Sequence, residues 1–145
     1  MKSTTTRTWA NQGVNILLEV EINCPILDVL FSLAFGYYKM KNFGLTFKYI
    51  TKCTKLDPSN RHVQVLLAKY YKKRGELNKS LEILLQIAES DSVGPEVNYL
   101  IAEIYRLKKF ANNAADYYDR VRSLLPDQSY LSRVVTNLKN SVIQV

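Results

Sequence analysis

The amino-acid sequence predicts an all-α solenoid of three helix pairs with a capping helix at each end. Six residue columns recur at a spacing of 34, the apolar residues within each recurrence follow helical periodicity, and the composition disfavours the other fold classes. The 145 residues are 47% hydrophobic and 23% charged, with five Gly and four Pro. A turn-rich all-β fold would need more Gly and Pro, and a disordered chain would be less apolar. The length suits one domain with a sizeable core.

The stretches beginning at Leu30, Gln64 and Asn98 align without a gap. Ala34, Ala68 and Ala102 share one column, and Tyr37, Tyr71 and Tyr105 another. Leu33, Leu67 and Ile101 form a third. Thr46, Ser80 and Ala114 follow, then Ile50, Leu84 and Tyr118, then Cys53, Ile87 and Val121. In the first helix of a unit, Leu30, Leu33, Ala34 and Tyr37 stand at i, i+3, i+4 and i+7, one helical stripe. A second helix carries Phe43, Phe47 and Ile50 after a polar Lys41–Asn42 turn. In unit two, Gly75 is the expected left-handed stop and Asn78 a candidate N-cap. The alanine column allows two helices to approach closely, and the tyrosine one turn on fills the space beside it.

These residues resemble the tetratricopeptide repeat, whose signature is Trp-x2-Leu-Gly-x2-Tyr, then Ala-x3-Phe and a closing Pro, over 34 residues. The first part stands as Leu33-Ala34-x2-Tyr37, Leu67-Ala68-x2-Tyr71 and Ile101-Ala102-x2-Tyr105. The second stands as Thr46-x3-Ile50, Ser80-x3-Leu84 and Ala114-x3-Tyr118, with Pro58 and Pro126 closing units one and three. The Trp column departs, holding Leu30, Gln64 and Asn98, and Ser92 replaces the Pro of unit two. The resemblance runs from about Leu27 to Gln128 and implies a right-handed superhelix of repeats 27–60, 61–94 and 95–128. Residues 8–26 are expected to form an N-terminal capping helix or half repeat, through Gly13-x3-Leu17-x2-Val20-x4-Pro25. Residues 129–145 are expected to form a C-terminal cap, with Leu131, Val134, Val135, Leu138 and Val142 on one stripe and Ser129 or Asp127 as N-cap. Residues 1–7 are expected to lack fixed structure.

The same residues argue against chemistry. His62 is the single histidine and reads as a solvated residue at a helix start, while Cys53 shares a core column with Ile87 and Val121. Cys24 has no informative partner, and the glycines make no phosphate loop. No catalytic set, metal site or cofactor site is expected. The resemblance implies instead that first helices line a concave groove holding a segment of another protein. Its candidate positions are Asp28, Phe31, Phe35 and Tyr38 in unit one, and His62, Val65, Lys69 and Lys72 in unit two. Unit three supplies Glu96, Tyr99, Glu103 and Arg106. Phe31 and Phe35 read more readily as core packing, and Lys69 and Lys72 equally as solvated charge.

The places where some family members clamp a chaperone's C-terminal carboxylate hold Phe31, Phe35, Leu66, Glu96 and Leu100, so that subtype is set aside. A net charge of +7 favours an acidic or amphipathic protein segment. Nucleic acid is disfavoured, because the run Lys69, Lys72, Lys73 and Arg74 lacks aromatic interleaving. Tyr38, Tyr49, Tyr70, Tyr99, Tyr117 and Tyr130 are candidate exposed tyrosines at such an interface. The expected role is a non-enzymatic adaptor or chaperone, or alternatively a subunit of an assembly such as a secretion-system component or its chaperone. With no signal-peptide pattern and no membrane span in the sequence, a cytoplasmic protein is expected, its oligomeric state open.

Overall fold

The computed structural model describes residues 10–19, 26–90, 94–127 and 129–144, and every helix among them is α. Helix α1 covers 10–19. It is followed by α2 (Leu27–Lys39), α3 (Phe43–Leu56), α4 (Arg61–Lys73) and α5 (Leu77–Glu89). Helices α6 (Pro95–Leu107), α7 (Ala111–Leu124) and α8 (Tyr130–Ile143) complete the order. The starts Leu27, Arg61 and Pro95 of the even-numbered helices α2, α4 and α6 and the partner starts Phe43, Leu77 and Ala111 each step by 34. Residues 1–7, Val20, Cys24, Pro25 and Ser92 lie outside the described residues.

Several starts and stops have a local cause. The Asn42 side chain accepts from the Leu45 N–H at 3.2 Å, and Asn60 accepts from Val63 at 3.1 Å. Ser129, as expected, caps α8 by accepting from Ser132 at 3.1 Å, and Pro95 opens α6 where its missing N–H costs nothing. Asn78 does not cap α5, which begins one residue earlier behind Glu76; its side chain instead accepts from Lys108. The turns inside the three pairs are one motif repeated. Asn42, Glu76 and Phe110 donate to the carbonyls of Tyr37, Tyr71 and Tyr105 at 3.0, 2.9 and 2.9 Å. Lys41, Gly75 and Lys109 donate to Tyr38, Lys72 and Arg106 at 3.0, 3.1 and 3.0 Å. This is the Schellman pattern, which closes a helix through a left-handed residue, and those three residues have φ of 60°, 80° and 63°.

The chain divides into two compact units, one ending at Tyr70 and the other starting at Tyr71. In the first, α2 packs on α3, and Leu30, Leu33, Ala34, Tyr37, Ile50 and Cys53 form the core. Val63 and Leu66 of α4 join it, and Val14 of α1 closes it from the other side. Gly36 is what lets α1 sit there, since a Cβ at that position would lie 2.8 Å from Val14 Cγ2. In the second unit, α5, α6, α7 and α8 pack in sequence. Ala102, Ala114, Tyr118 and Val121 form a cluster there that Val135 and Val142 of α8 complete. The alanine column and the Thr46, Ser80 and Ala114 column are wholly inaccessible, which is the close approach their size permits.

Candidate functional site

Because the first helices start 34 residues apart, the groove positions occupy the same places in each. Asp28, His62 and Glu96 are second in their helices, and Phe31, Val65 and Tyr99 fifth. Phe35, Lys69 and Glu103 are ninth, and Tyr38, Lys72 and Arg106 twelfth. Those places lie on one face of a 3.6-residue helix.

In the first unit this face is largely aromatic. Phe31 is half-buried against the core, and its ring meets His62 edge-on, with centroids 6.4 Å apart. Phe35 remains 41% exposed, with Lys39 Nζ 5.2 Å from its ring centroid. Tyr38 is half-buried on the core, which raises its phenol above the ordinary range. His62 is exposed near the start of α4, Lys69 is half-buried, and Val65 is buried.

In the second unit the face is ionic. Glu103 is only 8% exposed. It accepts from Arg106 through both oxygens, at 3.2 and 2.8 Å, and from the Tyr118 hydroxyl. Burial pushes its carboxyl up, but the hydrogen bonds from Arg106 and Tyr118 and the charges of Arg106 and Lys72 outweigh this, so the net shift is downward. Tyr118 is raised first by burial and then by the hydrogen bond it donates to Glu103. Tyr99, 37% exposed, stands 6.3 Å from Tyr118 between ring centroids, and its phenol is raised by burial and by the Glu103 charge. Glu96 and Arg106 are exposed and Lys72 is half-buried.

The structure therefore brings Phe31 to His62, and links Tyr99, Glu103 and Arg106 around Tyr118. Tyr118 is the partner that the sequence reading left out. It stands in the column of Ile50 and Leu84, where a buried hydroxyl must find an acceptor. A carboxylate in a column otherwise held by Phe35 and Lys69 was the available signal. Tyr49 also differs from expectation. It is buried, stacks on Tyr37 at 5.6 Å, and lies under Lys48 and Lys52. Cys53 is wholly inaccessible, and burial pushes its thiol up to about 11, the property of a core side chain. Among the described residues, no cluster of three metal-ligating side chains occurs, and no helix is long and apolar enough to cross a membrane.

No family model and no curated protein matches the sequence. Solved structures do match the fold. A thermophilic TPR protein of Thermus thermophilus superposes with a TM-score of 0.78 at 15% identity, over 95% of this chain and 75% of that one. The type III secretion translocator chaperone SycD of Yersinia enterocolitica gives 0.73 at 19% identity, over 81% and 83%. PcrH of Pseudomonas aeruginosa gives 0.71 at 18% identity, over 81% and 91%. At these identities the likeness is one of fold. Together with the buried 34-residue columns, it makes this chain an all-α protein of the tetratricopeptide-repeat fold.

Proposed function

We propose that the protein is a non-enzymatic binding module that holds a segment of a partner protein against the first helices of repeats 27–60, 61–94 and 95–128. One observation carries this reading. The core columns keep to small, apolar or aromatic side chains from repeat to repeat, whereas the face beside them changes chemistry, from Phe35 to Lys69 to Glu103 and from Tyr38 to Lys72 to Arg106. Packing constrains the first set and leaves the second free to suit a ligand. The exposed rings of Phe35 and Tyr99 supply apolar anchors, and Lys39, Lys69 and Lys72 suit acidic residues of a partner. Glu103, saturated by its own chain, holds Arg106 in place.

An adaptor or chaperone-like role fits such a face, and SycD, a chaperone by name, has the same fold. A fixed place in a multiprotein assembly is the second reading. It is favoured by apolar side chains left outside the face, Tyr130, Leu131 and Ile143 on α8 among them. Affinity capture from native extract with the wild type and with Phe35→Ala plus Lys69→Glu tests the face. Partner recovery is expected to fall at least about tenfold in the variant, as loss of a central anchor gives. Equal recovery would place the interface elsewhere on the molecule.

A further inference from the structure

The second helices carry a charge pattern that the groove does not use. On α3, the buried residues Thr46, Tyr49, Ile50 and Cys53 mark the inner side. At 100° per residue, Lys48 and Lys55 then stand on the opposite side, and both are exposed. Helix α3 contains no acidic residue. On α5, the inner side is Ser80, Leu84 and Ile87, and the exposed Glu82 and Glu89 stand opposite. Lys48 and Glu82 are one repeat apart, and so are Lys55 and Glu89. One repeat therefore presents two cations where the next presents two anions, at the same helical positions. None of the four joins an ion pair among the described residues.

We propose that the α3 face of one copy docks on the α5 face of a second copy, so that the protein associates with itself. Each pair spans seven residues, or about 10.5 Å along its helix, so the two charges on one face meet the two on the other whichever way the helices run. Thr51 and the half-buried Lys52 lie between the lysines, and the half-buried Leu85 and exposed Gln86 lie between the glutamates, so the α3 row is wholly basic and no cation interrupts the α5 row. Exposed ion pairs are individually weak, so the association is weak, selective and sensitive to salt. An acidic segment of another protein could meet the α3 lysines, but it would leave the matching α5 anions without a role.

Sedimentation of the full chain tests this, at concentrations from about 10 to 300 µM and at about 25 and 500 mM salt, which brackets strong and weak screening. The wild type is expected to associate at low salt and to dissociate at high salt. Lys48→Glu with Lys55→Glu turns the α3 row net acidic around Lys52, and Glu82→Lys with Glu89→Lys makes both rows basic. Each variant alone is expected to associate at least about tenfold more weakly, because like charges then oppose each other. Mixed together, the two are expected to associate as the wild type does, although both remain net positive. Should a reversal fail to fold by circular dichroism, Lys48→Gln with Lys55→Gln reads the same contact through loss of the salt dependence. A wild type that is monomeric throughout would overturn the proposal. So would reversed variants that associate unchanged, or a mixture no better than its components.

Discussion

Lys41, Gly75 and Lys109 hold the same left-handed backbone at the same place in successive pairs, yet only one of them is glycine. A residue with a Cβ pays a steric cost there of roughly 1–2 kcal/mol, which glycine avoids at the expense of a floppier unfolded chain. The hydrogen bonds on either side are equivalent in all three turns, so the lysines are held by the motif and not by their side chains. Lys41→Gly and Lys109→Gly are therefore each expected to raise the stability by about 0.5–1 kcal/mol, read as a later urea midpoint at unchanged slope. Gly75→Lys should move the midpoint the other way. No gain at either lysine would mean that the lysine side chain stabilises the turn. The left-handed stop was legible at Gly75 because glycine announces it. At Lys41 and Lys109 it was hidden, because only the 34-residue register places them in the same turn.

Helices α6 and α7 are joined across their interface by the link from Tyr118 to Glu103. Ile50 and Leu84 need no such link in the other pairs, so the polar contact is a local solution to one hydroxyl in an apolar column. Removing either end takes a partner from the other. Glu103→Leu leaves a buried phenol without an acceptor, and Tyr118→Phe takes one donor from a buried carboxylate, each at about 1–3 kcal/mol. The double variant restores an apolar pair and should cost less than the sum, with a coupling of about 1–2 kcal/mol in a denaturation cycle. Additive losses would show that the hydrogen bond contributes nothing of its own. The link also has a pH signature. The folded-state pKa of Glu103 lies below its ordinary value of 4.5, so its contribution is present above that value. It is lost as pH falls through the lower folded value. Glu103→Gln should accordingly flatten the acid limb of stability against pH, and leave the neutral region comparatively parallel to the wild type.

Over the whole molecule, the repeat was the part most legible in sequence. A column that must be small, such as Ala34, Ala68 and Ala102, or must fill space, such as Ile50, Leu84 and Tyr118, leaves the same trace in every unit. The face beside it was legible only as positions. Whether Glu103 points to solvent or into a buried link depends on Tyr118, fifteen residues away on another helix. Periodicity within one helix does not report that contact. The same locality governs how stability is distributed. The principal helix contacts in each unit are between sequence neighbours, α2 with α3 in the first and α5 through α8 in order in the second. In such an arrangement stability approximates a sum of local and nearest-neighbour contributions, so damage stays near its source. Ala34→Leu and Ala102→Leu insert the same bulk at equivalent, wholly inaccessible positions and should each cost about 1–3 kcal/mol by overpacking. Native-state hydrogen exchange should then show Ala34→Leu speeding the amides of α2 and α3 well above those of α6 and α7. Ala102→Leu should show the reverse. A uniform loss of protection along the chain from either substitution would mean that the two units open as one, and that the local sum does not describe this protein.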